Sequence, residues 1–122
     1  MKKTPLKRYK GINKISDGRK EQDEIYFPLV AKLWELCKNR SELSGKRADW
    51  QSNWEVEPHH IDGRIGDRYT DPFNIIMLTR PEHDKEEGKI RGVKPTDPEI
   101  LKAIVRRIRL KQGFKEAHND QQ

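Results

Sequence analysis

The residues of this chain best suited to chemistry are its histidines. Three of the four lie within a stretch of 25 residues, at His59, His60 and His83. Glu87 follows His83 by four residues, a spacing that places two side chains on the same face of a helix, where they can bind the same ion. Imidazole and carboxylate ligands suit a divalent transition metal. The pattern predicts a site for one divalent metal ion (Mn²⁺, Ni²⁺ or Zn²⁺, with Mg²⁺ less natural beside nitrogen ligands).

The histidine doublet suggests two separate roles. Adjacent residues of a strand point to opposite faces, so His59 and His60 cannot easily bind the same ion. One of them can bind the metal while the other, with a pKa near neutrality, accepts a proton from water. A polar strand end near the surface is the alternative interpretation of the doublet. For His83 and Glu87 the alternative is the solvated face of a charged helix.

Two short strands and a short helix must position these groups. Residues 54–61 begin with alternating apolar and acidic side chains, which is typical of a half-buried strand, and Pro58 places its end at an edge or a bulge. Residues 74–79 form an apolar run between turn signals, which predicts a buried strand. The two strands predict an antiparallel hairpin with a long connecting loop. A capping box at 79–82 then opens a short helix that ends at Gly88.

Longer helices are predicted on either side of the hairpin, over residues 17–38 and 97–111, and the fold class is therefore α+β. Pro28 either kinks the first helix or lies in the first turn of a shorter helix that begins near Phe27. The second helix opens with the capping sequence Thr96-Asp97-Pro98-Glu99. The predicted apolar faces consist of Ile25, Leu29, Leu33, Trp34 and Leu36 on the first helix, and of Ile100, Leu101, Ile104, Val105 and Ile108 on the second.

Composition and charge place these elements in one small domain. The chain has 122 residues, of which 32% are hydrophobic and 38% charged, and it carries neither the ~20-residue apolar run of a membrane span nor the apolar core of a signal peptide. We therefore expect a cytoplasmic protein without membrane contact. Residues 1–20 contain eight basic residues and one acidic residue. We expect a flexible basic arm over 1–16, one domain over 17–112 and a polar tail over 113–122.

The order of these residues resembles that of a known family. The stretch EVEPHHIDGR…DPFNIIMLTRPEHDKEEG, within residues 54–88, is similar to the HNH endonucleases, and to small bacteriophage members in particular. That resemblance implies a ββα-metal (His-Me finger) core made of the hairpin and the short helix. It implies that His59 and His83 are metal ligands and that His60 is the general base, oriented by a backbone carbonyl. Asn74 would hold the loop that fixes this base. Glu87 occupies the place of a further ligand in some members.

The sequence departs from this family at the positions of a structural zinc. Many relatives carry CxxC pairs beside the motif, whereas this chain has only Cys37, and Ser41 and Thr79 stand near the expected cysteines. We therefore expect no structural zinc. Apolar packing of the two long helices must then stabilise the domain.

The resemblance implies metal-dependent hydrolysis of DNA phosphodiester bonds, as nicking or double-strand cleavage, in bacteriophage DNA processing or recombination. Arg64 and Arg68 of the connecting loop are candidate phosphate contacts, with solvated arginines as the alternative. We expect DNA as the partner, together with other phage DNA-processing proteins in a bacterial host cell, and either a monomer or a homodimer. The alternatives are a catalytically idle module that keeps the metal and DNA, and a small RNA-binding or interaction protein that uses its basic arms.

Two further groups of side chains have two interpretations each. The basic residues of the last helix either follow a DNA backbone or form a solvated face; they are Lys102, Arg106, Arg107 and Arg109. The tryptophans are expected in the core or as its support rather than as stacking platforms for bases; they are Trp34, Trp50 and Trp54.

Overall fold

The computed structural model describes residues 17–116. Helix α1 (Asp17–Cys37) is followed by a two-stranded antiparallel hairpin of β1 (Glu57–His60) and β2 (Ile75–Leu78). Helix α2 (Arg80–Glu86) follows β2 directly, and helix α3 (Pro98–Lys111) completes the described residues. The fold is therefore α+β, as predicted. The basic arm over 1–16 and most of the polar tail, 117–122, lie outside the described residues.

The hairpin is packed on both faces. Its register pairs Pro58 with Met77 and His59 with Ile76, so that alternate residues of β1 face opposite layers. On one face, Ile75 and Met77 join a core cluster that includes Leu33 of α1. The opposite face packs against α3. This arrangement explains why all four residues of β2 are buried.

The buried face of α1 differs from the predicted stripe. Ile25, Trp34 and Leu36 are exposed, whereas Tyr26 and Leu33 are buried. The helix is turned so that the ring of Tyr26 enters the core, a placement that a pattern of aliphatic residues does not reveal. Pro28 lies on the exposed side of the continuous helix.

The other tryptophans are also outside the core, contrary to the prediction. Trp50 and Trp54 are 69% and 65% exposed. Trp54 has a φ of 68°, a left-handed conformation that cannot continue a strand, and β1 accordingly begins three residues later than predicted. The tryptophans therefore contribute little to the stability of the hairpin.

Helix α3 is amphipathic, but its basic face was incorrectly predicted at one position. Leu101 and Val105 are buried as expected, whereas Ile100 is 53% exposed. Arg109, placed on the surface by its charge, is completely buried and forms an ion pair with Glu42 (Nη1–Oε2, 2.6 Å). Its guanidinium also donates hydrogen bonds to the backbone carbonyls of Pro72 and Ile75. This network joins α3 to β2 and the 39–53 loop.

Helix caps lie near their predicted positions. In the first capping box, the backbone N–H of Thr79 donates to Oε1 of Glu82 (3.0 Å), and Gly88 takes the positive φ that ends α2. The cap of α3 is Asp97 instead of Thr96. Thr96 is held elsewhere: its backbone N–H and hydroxyl donate to the buried carboxylate of Glu86 (2.8 and 2.7 Å).

Candidate metal and catalytic centre

Three ligand-type side chains converge where β1 faces α2. His59 lies on the face of the hairpin that α2 covers, and His83 and Glu87 lie one helical turn apart at the end of α2. One ligand atom from each of the three residues lies within 4.8 Å of the others. Two ligands on opposite sides of an ion with ~2.1 Å bonds are ~4.2 Å apart, so the spacing of these atoms is close to that of ligands around one ion. The cluster could hold a metal ion.

The local geometry holds His83 between two carboxylates. Its Nδ1 lies 2.7 Å from Oε1 of Glu57, and its Nε2 lies 3.1 Å from Oε2 of Glu87. The carboxylate of Glu57 is in turn bound by Arg80 (3.0 Å). Metal-binding histidines commonly donate their second ring N–H to a carboxylate in this way. The arrangement leaves Nε2 of His83 directed at the cluster.

The electrostatics of the cluster favour ligation. Burial, together with the nearby His83, lowers the pKa of His59, so that its ring is neutral and has a free lone pair at pH 7. The ion pair with Lys89 and the proximity of His83 hold the pKa of Glu87 below its ordinary value, which keeps this carboxylate ionised. A neutral imidazole and an ionised carboxylate are the protonation states that a metal requires.

His60 lies on the opposite face of β1, against α1. Its Nε2 is 3.1 Å from the backbone oxygen of Tyr69, and because a carbonyl can only accept, Nε2 carries the proton. The ring lies beside the stacked pair of Tyr26 and Tyr69, with ring centroids 5.6 and 5.7 Å away. Its Nδ1 is buried and, within residues 17–116, has no hydrogen-bond partner. Burial lowers the pKa of His60, against the opposing effect of the Tyr69 carbonyl, so the ring is neutral at pH 7.

Asn74 fastens the loop that connects the two strands. Its Oδ1 accepts from the backbone N–H of Asp62 (2.8 Å). Its Nδ2 donates to the carbonyls of Gly63 and Arg68 (2.9 Å each). The side chain is buried, so these bonds are protected from water. The carbonyl that binds His60 belongs to Tyr69, the residue after Arg68, and the same loop therefore carries both contacts.

The two loop arginines lie in different surroundings. Arg64 is exposed, and its charge contributes to lowering the pKa values of His59 and His60. Arg68 donates to the backbone oxygen of Asp62 (3.2 Å). It also lines a cavity of about 380 Å³ together with Lys102. The structure therefore brings Arg64 close to the histidines and directs Arg68 toward α3.

Sequence reasoning missed two residues of this centre. Glu57 lies two positions before His59, and residues two apart in a strand lie on the same face. The alternation of β1 could therefore have predicted that Glu57 lies beside the ligands. Tyr69 carried no such signal, since it lies in a short 3₁₀ helix (Gly66–Thr70) within the loop that connects the two strands. Its hydroxyl donates to Asp23 of α1 (2.7 Å), which anchors the loop.

Comparison with known proteins adds nothing to this geometry. No family model matches the chain, and no curated protein or solved structure matches it either. Among the described residues, no helix is long and apolar enough to cross a membrane.

Proposed function

We propose that this protein is a metal-dependent endonuclease of the ββα-metal (HNH) type, which hydrolyses phosphodiester bonds of DNA. The observation that carries the proposal is the convergence of His59, His83 and Glu87 in one cluster. His60, which is neutral, directly follows His59 on the same strand. A bound metal ion and a separate general base are two components that together can catalyse phosphodiester hydrolysis. The proposed setting is phage DNA processing or recombination in the cytoplasm of a bacterial host.

The donor set defines the metal that the site would take. Two imidazole nitrogens and one carboxylate oxygen suit Zn²⁺, Ni²⁺ or Mn²⁺ better than Mg²⁺. When bound, the ion would supply Lewis-acid stabilisation of the negative charge on the phosphate and on the leaving oxygen. His59, His83 and Glu87 would hold it, and Glu57 would keep the ring of His83 oriented.

His60 acts as the general base in this proposal. Its Nδ1 accepts a proton from water, the water oxygen forms a bond to phosphorus in line, and the bond between phosphorus and the 3′ oxygen breaks. The leaving 3′ oxygen takes a proton from solvent, which gives 5′-phosphate and 3′-hydroxyl ends. The Tyr69 carbonyl stabilises the imidazolium that forms, because it accepts from Nε2–H. Arg64 binds the phosphate near the histidines, whereas Arg68 supports the loop.

One observation favours the catalytically idle alternative. Nδ1 of His60 is buried, so water has no access to it unless the aromatic rings around it move. A module that binds metal and DNA without cleaving would tolerate a buried ring at this position. Catalytic contacts often form only in the complex with substrate, so a buried Nδ1 in the free protein does not rule out His60 as the base. Because this histidine is present, we favour the enzyme over the idle module.

Plasmid nicking distinguishes the two candidates. Supercoiled plasmid is incubated with the protein and Mn²⁺, Ni²⁺, Zn²⁺ or Mg²⁺, with EDTA as the metal-free control. We expect metal-dependent nicking that His60→Ala abolishes and that His118→Ala, a histidine with no assigned role, retains. Calorimetric titration with Mn²⁺ should give the same affinity for His60→Ala and the wild type. Metal binding without nicking by the wild-type protein would support the idle module, and persistent nicking by His60→Ala would place the base elsewhere.

A further inference from the structure

A turn that precedes β1 displays two tryptophans to solvent. Trp50 and Trp54 are 69% and 65% exposed, and neither belongs to a core cluster. Large apolar side chains exposed close together are characteristic of interaction sites. The stability of the fold therefore does not explain why these two side chains are large and apolar. We call residues 50–54 the tryptophan turn.

Hydrogen bonds hold the tryptophan turn in an unfavourable backbone conformation. Asn53 and Trp54 have φ values of 65° and 68°, a region that is sterically disfavoured for bulky residues. The backbone N–H of Trp54 donates to the Asp49 carbonyl (2.7 Å), and Asn39 Nδ2 donates to the Trp54 carbonyl (2.9 Å). Strained backbone that the surroundings impose is typical of functional sites. The backbone that carries the Trp54 side chain is thus held in place before any partner binds.

The surroundings of the turn are basic. Four exposed cations belong to the segment before it: Lys38, Arg40, Lys46 and Arg47. Within residues 17–116, none of them forms an ion pair. By contrast, Lys102 and Arg106 of α3 are paired with Asp62 and Glu116. Arg107 and Lys111 of α3 are exposed and form no ion pair among the described residues, so positive charge is available to a polyanion beside the tryptophans as well as on α3.

The basic segment adjoins the candidate centre. Lys46 and Arg47 line a cavity of about 450 Å³ that extends to the start of α2 at Thr79 and Pro81, and whose lining also contains the acidic Asp49 and Glu82. The same helix carries the candidate ligand His83. A strand of nucleic acid lying along Lys46 and Arg47 would thus be brought to the helix that carries part of the metal site.

We infer that the tryptophan turn and its four cations bind unpaired bases of single-stranded DNA next to the bond that is cleaved. Aromatic rings stack on the faces of all four bases, and flanking cations follow the phosphates, which is the usual chemistry of single-strand binding. A groove between α1 and β1 is lined by Trp34 and by the acidic Glu35 and Glu55, its lining residues include no basic side chain, and it is not part of this surface. The inference rests on the proposed function, because it names the class of DNA that the nuclease takes.

Fluorescence anisotropy of labelled oligonucleotides tests the inference in EDTA, where cleavage plays no part. The probes are a 15-nucleotide oligo(dT) and a 15-base-pair duplex. We expect Trp50→Ala and Trp54→Gly each to lower oligo(dT) affinity by roughly 5- to 100-fold, while duplex affinity changes little. Trp34→Ala, the matched control in the acidic groove, should bind like the wild type. Glycine accommodates the positive φ at position 54, so the melting temperature of Trp54→Gly should not fall.

The charges have their own readout. The measured quantity is the slope of a plot of the logarithm of oligo(dT) affinity against the logarithm of salt concentration. In the double variant Lys46→Ala with Arg47→Ala, this slope should be smaller in magnitude by ~0.7 for each phosphate that the protein no longer neutralises. His60→Ala should bind oligo(dT) like the wild type even though it does not nick. Unchanged oligo(dT) affinity in both tryptophan variants would overturn the inference, and a nicking wild type would then leave the proposed function intact. Equal losses for duplex and single strand would overturn the assignment to unpaired bases.

Discussion

The Nδ1 atom of His83 lies 2.7 Å from the Oε1 atom of Glu57, so a strand carboxylate holds the ring of a helix histidine. Burial acts to raise the pKa of Glu57, but hydrogen bonds from His83 and Arg80 outweigh it and leave the pKa below its ordinary value. Glu57 is therefore ionised at neutral pH and fixes the proton of His83 on Nδ1. Nε2, which lies 3.1 Å from the carboxylate of Glu87, is the ring nitrogen that a metal would bind.

Replacing Glu57 should weaken metal binding more than it weakens the fold. We expect Glu57→Gln to lower the affinity for Zn²⁺ or Mn²⁺ by about 10- to 100-fold, because the ring of His83 loses its charged partner. Calorimetric titration measures this change, and Glu55→Gln, an exposed neighbour, serves as the control. Equal metal affinity in Glu57→Gln and the wild type would show that the contact does not orient a ligand.

Asn74 should be required for the shape of the connecting loop. Asn74→Ala removes hydrogen bonds to Asp62, Gly63 and Arg68, and we expect the free energy of unfolding to fall by about 1–3 kcal/mol. Nicking should fall further than stability explains, since the loop carries the carbonyl that orients His60. Urea unfolding and plasmid nicking measure the two effects.

A second substitution at the same position separates the two halves of the amide. Asn74→Asp keeps an acceptor for the Asp62 N–H but turns a carboxylate oxygen toward the carbonyls of Gly63 and Arg68. We expect a loss of stability at least as large as that of Asn74→Ala at pH 7. A fully stable and active Asn74→Asp protein would contradict the role of the two donated hydrogen bonds.

The buried pair of Arg109 and Glu42 should be sensitive to the loss of either partner. Arg109→Ala leaves the carboxylate of Glu42 buried without a counter-charge, and we expect the free energy of unfolding to fall by about 3–5 kcal/mol. Arg109→Lys should also be destabilising, because one ammonium cannot reproduce the fork that binds Glu42 and two backbone carbonyls. Urea unfolding measures both variants. Arg107→Ala, on the exposed side of α3, should stay within about 0.5 kcal/mol of the wild type.

Glu82 should make stability depend on pH. Burial acts to raise the pKa of Glu82, but hydrogen bonds with Ser41, Ser44 and Thr79 outweigh it and lower the pKa below the ordinary 4.5. A carboxyl group with a lowered folded-state pKa contributes stability above its unfolded pKa, and this contribution disappears as the pH falls through the folded value. We expect Glu82→Gln to be less stable than the wild type at pH 7, with the difference shrinking below pH 4.5.

Thermal melting at pH 7 and pH 3 checks this prediction. The control is Glu24→Gln, which removes a carboxylate from the exposed side of α1. A constant difference between Glu82→Gln and the wild type across the whole range would mean that the ionised form of Glu82 has no special role.

The elements could be predicted because their signals are local. The capping box at Thr79 and Glu82, the left-handed Gly88 and the apolar run of β2 each depend on neighbours in the sequence. The separation of His59 from His60 onto opposite faces also follows from the period of a strand. The residues that could bind a metal were identified for the same reason, since two residues four positions apart, such as His83 and Glu87, lie on the same face of a helix.

The sequence by itself determined an α+β chain with a hairpin, three helices and a set of histidines and acids that could converge. Only the tertiary structure decided which face of α1 is buried, that Arg109 is internal and that Trp50 and Trp54 are exposed. These outcomes depend on partners distant in sequence, such as Glu42 for Arg109, separated by 67 residues. Burial of a charge is favourable only when such a partner is present, and periodicity within one helix contains no information about that partner.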